Sequence, residues 1–564
     1  MAEQLYFSRD TRMFVQFRNT TDNTEAAANL GKGSIWEIPI LDGYSFSQTT
    51  NTSEITLAEM ESSAGVSRRG NRMFTDSLAP AEWSFSTYVR PFISKQTNSD
   101  TVERADTAAE THAVEEALWA SMFGADTYSS YAWTRATNAV SGPVATPGSA
   151  NMPIVIAESN RSALHSFVIY FLIDTATSNP LVYRMPESVV NEASIDFDVD
   201  GIATINWSGF SKEIQDVSGS VILATTAPGN GATTNDGTGI ALGDIMIDTD
   251  SGRSFNLINT VASTCSITKA IDEATTSTLN FIRNRLTAVD IEAADGADKV
   301  AGTFPGSIAT VSAVDQTNDV ITFSAAHNLS TGDQVYMSGF ASGTTGGGST
   351  LNGQHLFVRV GDETGTYGGS ANTTTEITLF GTKAQAENLG NATGKVVLAG
   401  TSYSGTAGRV ANGKYSLTLT GGNFTVGNNI TYLVPEELGA INKPIEHVTG
   451  SRSSGGSATC YLTLEDSDVS SGTSRQFFND LVGTGAMSKV VNKFKVTMHI
   501  GGSAATGNTT DPALKIEFPT AHISVPTHSV EDVISLEVEY AALPTDFGTA
   551  DEITAITYYP VDVY

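Results

Sequence analysis

A strand pattern that occurs twice constrains this chain more than any other feature of its sequence. Residues 38–92 read IPILDGYSFSQTTNTSEITLAEM, then a charged loop, then APAEWSFSTYVRPF. Tyr44, Phe46 and then Ile55, Leu57 alternate with polar residues, as do Trp83, Phe85 and Tyr88 with a break in phase at Thr87. Alternation of period two marks strands with one buried face. Arg68, Arg69, Gly70 and Arg72 lie between the runs and are too polar and glycine-interrupted for a core. Weaker echoes follow. TGGNFTVGNNITYL (420–433) repeats LDGYSFSQTTNTSEITL (41–57) at an offset of 378, with Gly421 at Gly43 and Phe424 at Phe46. At that offset ATCYLTLED (458–466) stands where AEWSFSTYV (81–89) stood, with Tyr461 at Trp83. LNFIRNRLTAV (279–289) matches LYFSRDTRMFV (5–15) at an offset of 274, with Phe281 at Phe7 and Arg283 at Arg9. NKFKVTMHI, FPTAHISVP and VISLEVEYAAL likewise follow HSFVIYFLI, MPESVVNEASIDF and GIATINWSGF in the same order. The shared order predicts an internal duplication.

Other elements fit between these landmarks. Residues 108–123 (AAETHAVEEALWASMF) carry Val114, Leu118 and Met122 on one helical face, Glu115 and Glu116 off it, and Gly124 as a stop, which predicts an amphipathic helix. SRQFFNDLVG (474–483) takes its place in the second copy. SFVIYFLID (166–174) is apolar enough for burial on both faces. ASIDFDVDGIATINWSGF (193–210) predicts a hairpin turning at Asp200-Gly201, with Ile195, Phe197 and Val199 on one face and Ile205 and Trp207 returning. The second copy is longer by 104 residues between its first two landmarks. The excess falls within about 292–411, a segment with the runs ATVSAVD, DVITFSAAHNLSTGDQVYMSGF, LNGQHLFVRVG and TEITLFGT, enough for a small all-β domain projecting from a host loop. The predicted organisation is a first domain 1–216, a connecting arm 217–277 with two short strands, a second domain 278–291 and 412–564, and the insert 292–411. The fold class is mainly β.

Composition narrows the function. The net charge is −30, from 31 basic and 61 acidic residues. A nucleic-acid-gripping protein needs Lys and Arg to displace phosphate counterions, so this surface suits a solvated particle, or a wall past which DNA slides. No apolar run approaches the ~20 residues of a membrane span, and MAEQLYFSRD lacks the basic head and apolar stretch of a secretory signal. Cys265 and Cys460 are expected as free thiols of a reducing compartment, with a disulfide between them as the alternative. DFDVDG (196–201) imitates the start of a calcium loop, but its twelfth position is Trp207 where a glutamate is needed. DTDSGRS (248–254) is a similar weak imitation. His522 and His528 share a segment with no cysteine or acidic cluster to complete a metal site. There is no nucleophile elbow, phosphate loop or HExxH helix, and Gly346-Gly347-Gly348 lacks the strand-to-helix context of a phosphate cradle. No catalytic, cofactor or metal residue is assigned, and an enzyme is not expected. Arg68, Arg69 and Arg72 are candidates for pairing with carboxylates of a neighbouring subunit.

LDGYSFSQTTNTSEITL, RRGNRMFTDSLAPAEWSFSTYVRPF, NNITYLVPEELGAINKPIEHVTGSRS and FPTAHISVPTHSVEDVISLEVEYAALP resemble the tail tube proteins of tailed bacteriophages, of the kind inside contractile tails. The resemblance spans much of 1–216 and 412–545. It implies β-sandwich domains, each with a flanking helix, whose strands join neighbours into an inner barrel, in rings of six domains stacked as a tube. A duplicated domain then implies three chains per ring, a pseudo-hexamer; six chains is the alternative. It further implies a virion-tail location after assembly in the host cytoplasm, with sheath, baseplate and tail terminator as partners. The tape measure protein and DNA would pass through the lumen, with no membrane or cofactor. The competing reading is an adhesin-like β-protein of the virion surface.

Overall fold

The structure, a computed structural model, describes residues 6–17, 35–55, 72–93, 111–123, 153–154, 164–173, 180–224, 245–248, 255–260, 264–266, 281–293, 311–338, 344–345, 351–360, 374–399, 409–435, 442–463, 474–478, 494–501, 512–530, 533–544 and 551–559, with short breaks inside several of these spans. It is mainly β.

The first run of the chain contains β1 (Thr11–Phe17), β2 (Ile35–Ile38), β3 (Ser45–Ser47), β4 (Thr50–Ile55), β5 (Arg72–Leu78), β6 (Ala81–Tyr88), β7 (Pro91–Ile93), β8 (Thr111–Ala113), helix α1 (Glu116–Phe123), β9 (Pro153–Ile154), β10 (Phe167–Ile173), β11 (Leu181–Asp198), β12 (Thr204–Ser211) and β13 (Gln215–Asp216). In one layer β1 pairs with β2 and β10, and β10 with β11. In the other, β11 pairs with β12, β12 with β6 and β6 with β3, all antiparallel. The 18-residue β11 belongs to both layers. Its first half pairs with β10 and its second with β12. Between them the chain turns at Glu187, whose φ of 54° is unusual for a residue with a side chain, and register shifts between Val190 and Glu192. Bulges of this kind bend a strand and let it change sheets.

Residues 221–266 add a separate four-stranded sheet of β14 (Val221–Ala224), β15 (Ile245–Asp248), β16 (Phe255–Thr260) and β17 (Thr264–Ser266), more than the two strands expected of the arm. After β18 (Ala288–Ala293) come β19 (Val311–Asp315), β20 (Val320–Phe323), β21 (Gln334–Ser338), β22 (Thr344–Thr345), β23 (His355–Val360), β24 (Glu376–Phe380), β25 (Leu398–Ala399) and β26 (Arg409–Asn412). Six of these form their own sheet in the order β19-β20-β24-β23-β21-β26. They cover a core of their own around Ile321, Val335, Val358 and Leu379. The chain leaves the second run for this unit and returns to it at a single cross-strand pair, Glu292 and Lys414.

The second run continues with β27 (Lys414–Leu417), β28 (Leu419–Gly427), β29 (Thr431–Leu433), β30 (Glu446–Val448), β31 (Ser453–Tyr461), β32 (Phe494–Ile500), β33 (Ala513–Ile523), β34 (Thr527–Val530), β35 (Ile534–Ala542) and β36 (Ala555–Tyr559). Its pairings follow the first run's order. β18 pairs with β27 and β32, β32 with β33, β33 and β34 with β35, β35 with β31, and β31 with β28. Where β11 is one bent strand, the second run has two, β33 and β34, separated by a segment containing Pro526. Proline cannot donate to a ladder.

Side-chain phase corrects several sequence expectations. Thr87 does not break the alternation of β6: it is buried like Trp83 and Phe85, and accepts a 2.9 Å hydrogen bond from Trp207 Nε1. Tyr461 does not stand where Trp83 stands. It is exposed, and the position paired like Trp83 is Gly456. Trp83 lies opposite Gly209, and Gly456 lies opposite Tyr540. The two runs thus fill one cross-strand position with a large ring and a glycine, placed on opposite strands. Short 3-10 turns precede β1 (Ser8–Asp10) and β18 (Asn284–Leu286), and they match Arg9 to Arg285 in place of Arg283. Val199 is exposed beyond the end of β11, off the face of Ile195 and Phe197.

The predicted long helix is shorter. Residues 111–113 form β8 against β7, and α1 begins only at Glu116. Glu115 is fully buried, not on an outer face. Its carbonyl oxygen accepts from Leu118 and Trp119 amides, and its carboxylate accepts from the Tyr558 hydroxyl. Tyr558 in turn accepts from Trp119 Nε1 at 3.0 Å. A helix of the first run is therefore held by the last strand of the second. In the second run, 474–475 and 477–478 are helical, with Phe477 buried against Tyr415. One apolar core runs through both sandwiches, from Val15 and Trp207 to Phe518 and Tyr558.

The Gly209 position tests this packing. A Cβ there would lie 2.1 Å from Val189 O and 2.3 Å from the Trp83 ring. Gly209→Ala is expected to destabilise the protein by about 1–3 kcal/mol, as overpacking does. Gly219→Ala, with open space around its Cβ, should leave the denaturant midpoint unchanged.

Candidate assembly surface

Eight strands lie side by side in the order β3-β6-β12-β11-β28-β31-β35-β34. Alternation gives this sheet one apolar face, packed on the core, and one open face. On the open face stand Ser84 and Ser86, Asn206 and Ser208, Ser194 and Asp196, Thr425, Ser457 and Thr459, Glu537 and Glu539. No lysine or arginine occurs in β3, β6, β12, residues 189–198 of β11, β28, β31, β35 or β34. Several of the polar groups are tied to one another across strands. Ser45 and Ser84 hydroxyls are 2.8 Å apart, Ser86 donates to Asn206 Oδ1 at 2.6 Å, and Asn206 Nδ2 donates to Asp196 at 3.2 Å. Such a face offers polyanions no cation to pair with.

The two runs meet in the middle of this sheet. β11 and β28 pair antiparallel over seven residue pairs, from Glu192–Gly427 to Asp198–Gly421. Gly422 is required by closeness, since a Cβ there would lie 2.7 Å from the Phe197 ring and 2.4 Å from Ser457 O. Just past the joint, buried Asn428 donates through Nδ2 to Met122 O (3.1 Å) and Val190 O (3.2 Å), and its amide donates to Asn191 O. Asn191 Oδ1 accepts from the Ile430 amide at 2.8 Å, and the Tyr432 hydroxyl donates to Glu187 O. Arg452 lies 3.5 Å from Glu552 and over the Phe123 ring. Polar groups in a joint this buried are satisfied or costly. The buried hydroxyl of Tyr540 lies 3.2 Å from Asn423 O and 2.9 Å from Met498 Sδ, two acceptors for its single proton, and burial raises its pKa.

The outer margins of the sheet differ from its middle. Among the described residues β3 pairs with β6 alone and β34 with β35 alone. Among the described residues, each margin thus has one side of its ladder with no partner strand, the usual template for adding another strand.

Exposed apolar side chains stand at both ends of the strands. At the end of β6 nearest Ala81, hairpin β4–β5 exposes Met73 and Phe74. At the corresponding end of the second run, hairpin β29–β30 and its approach expose Leu433, Ile445 and Val448. The hairpins touch, the Leu78 amide donating to Asn442 O at 2.8 Å. At the opposite end, nearest Tyr88, the β11–β12 turn exposes Val199 and Ile202, and the β34–β35 turn exposes Val533 and Ile534. A two-stranded hairpin is marginal alone, and apolar groups exposed together mark contact sites.

Of the residues singled out by sequence, Arg68 and Arg69 lie outside the described residues. Arg72 opens β5 opposite Ile55, in the exposed hairpin. Asp196 and Asp198 project from β11 and Asp200 from its turn, where Asp200 makes an exposed 3.7 Å ion pair with Arg285. DTDSGRS lies outside the described residues beyond Asp248, and so do Gly346, Gly347 and Gly348. Among the described residues no group of three or more His, Cys, Asp and Glu is placed to hold a metal ion. His528 stands edge-on to Phe478, with ring centroids 4.3 Å apart. Cys460 is a free, buried thiol, and burial pushes its pKa up to about 12. Sequence reasoning missed the polar joint at Asn428: an NN pair in a loop looks like turn chemistry until its partner strand is known.

Among the described residues this sheet combines a polar face without lysine or arginine, two margins that pair with no further strand, and exposed apolar side chains at both strand ends. The chain is 22% identical over 551 residues to the tail tube protein pb6 of Escherichia phage T5, spanning 97% of this chain and 75% of that protein. No protein-family model matches.

The joint gives a direct test. Asn428→Ala leaves two buried carbonyls without their donor, and unfolding should shift by about 1–3 kcal/mol, read as a lower denaturant midpoint with unchanged slope.

Proposed function

We propose that this chain is a structural protein of a phage tail, polymerising into stacked rings that form the tail tube through which DNA leaves the virion. The observation that carries the reading is the eight-strand sheet whose open face lacks lysine and arginine and whose two margins are unpaired. Similarity to the T5 tube protein over nearly the whole chain supports it. In this role the cation-free face lines the lumen. DNA passing it finds hydroxyls, amides and carboxylates but no charge to grip its phosphates. The net charge of −30 acts in the same direction.

The repeated pairing order supports an internal duplication, with residues 1–216 as one tube domain and 278–291 with 412–564 as the other. Three chains then supply six domains, and the ring is a pseudo-hexamer. Closing the sheet into a barrel removes both unpaired margins. Head-to-tail contacts that close laterally and repeat axially give a tube. The apolar hairpins of one ring meet the apolar turns of the next. The tape measure protein shares the lumen, and baseplate and terminator proteins meet the two ends. The insert 292–411 projects from the outside of the wall.

Negative-stain electron microscopy of the concentrated protein tests this. Hollow tubes with regularly spaced rings, three chains in each axial view, are the expected result; dispersed monomers under all conditions that assemble other tail tubes would overturn it. Charging the hairpins (Phe74→Glu with Leu433→Glu) should leave single rings and abolish tubes, as counted in the same images. Lysines on the open face (Ser84→Lys with Ser194→Lys) should leave tube assembly intact and slow DNA ejection at low salt, with the effect shrinking as salt rises.

A further inference from the structure

The joint between the two runs fixes the joint between chains. We infer that β34 of one chain pairs antiparallel with β3 of the next, in the register that β11 and β28 adopt within one chain. The inference rests on the tube reading above and names the strands and residue pairs that close the ring.

The equivalences come from backbone pairing. Ile205 of β12 lies opposite both Thr87 and Ile195; Leu536 of β35 lies opposite both Cys460 and His528. Hydrogen bonds at the strand ends agree. The Val89 amide donates to Ala203 O as the Leu462 amide donates to Ile534 O, and the Lys212 amide donates to Pro186 O as the Leu543 amide donates to Thr520 O, within one residue of the same alignment. Thus His528 stands where Ile195 stands, and Ser529 where Asp196 stands. On the other side Phe46 lies opposite Trp83, and Phe424 opposite Gly456, the two ends of the exchanged ring–glycine pair. Phe46 therefore stands where Phe424 stands. Within the chain Ile195 pairs with Phe424 and Asp196 with Asn423. Carried across, His528 pairs with Phe46, Ser529 with Ser45 and Thr527 with Ser47 of the next chain.

Burial supplies an independent observation. Phe424 is fully buried, with β11 beside it, whereas Phe46 is only half-buried, although its ring stacks on Phe171 at 5.0 Å and packs against the common core. Ile195 is fully buried and His528 is exposed. The positions that differ are those that a neighbouring strand would cover. A second copy of this chain is the occupant because it carries both halves of the joint, one at each margin.

Cysteine pairs read the register. Directly opposed residues have Cβ atoms about 4.5–5.5 Å apart, and a shift of two residues moves them to about 7–8 Å, beyond the span of a disulfide. Ser45→Cys and Ser529→Cys are placed together in one chain with Cys265→Ser, and assembled tubes are treated with a mild oxidant, each disulfide forming as two thiols lose two electrons and two protons to it. A closed covalent trimer on non-reducing gels, absent for Ser47→Cys with Ser529→Cys, is the expected result. Mixed singly substituted chains should give dimers only. Tubes that form normally yet cross-link equally at both pairs, or at neither, overturn the register while leaving the tube reading standing. Failure of the unsubstituted chain to form rings overturns the tube reading, and this joint with it.

Discussion

The main body of this molecule depends on backbone pairing between β11 and β28. Seven residue pairs turn two sandwiches into one sheet. Without them each run would end in an unpaired ladder, with Ile195, Phe197 and Phe424 uncovered along it. With them, the apolar face of eight strands becomes a single floor for the core. The polar groups around the joint follow from this requirement. Asn428, Asn191 and Tyr432 bond to backbone groups of the opposite run, so that the sandwiches are locked in position as well as paired.

A second layer backs that arrangement. β11 passes from one layer to the other at Glu187, so the open-faced sheet and the layer behind it share one continuous strand. Glu115, Trp119 and Tyr558 join residues more than four hundred positions apart in one hydrogen-bonded cluster. Tyr558 lies near the far end of the described chain, and its strand β36 pairs with both β33 and β9. Each run supplies a wall of the other's core. The exchange of ring and glycine between Trp83–Gly209 and Tyr540–Gly456 fits this picture. What matters at that position is total volume, and either strand can provide it.

Much of this was legible in the sequence because strand patterning is local. The alternation at Trp83, Phe85 and Ile205, Trp207, the all-apolar run of β10, the hairpin near Asp200-Gly201 and the separate strand set of 292–411 all follow from period-two burial and turn residues. Phase across long gaps was less legible. Tyr461 looks like the partner of Trp83 by residue type, but the side chain that fills that position comes from the facing strand, as Tyr540, and a linear alignment cannot show it. The helix was overextended because Val114 fits a helical stripe, while its neighbours at 111–113 are captured by β7. Glu115 seemed to belong outside for want of any sign of Tyr558. The candidate surface was least legible of all. A face without cations is visible only after the strands carrying it have been put side by side, and of the arginines that stood out only Arg72 is described, at the start of β5 opposite Ile55.

The chain enters and leaves its additional six-stranded unit through one adjacent pair, Glu292 and Lys414, at the mouth of the β18–β27 hairpin. Among the described residues only one of the two sandwiches bears such a unit. Any object built from this chain therefore carries these outgrowths at half the density of its sandwiches. Because the outgrowth packs on a core made by its own strands, a change in its length or sequence leaves the pairings of the sandwich that carries it intact.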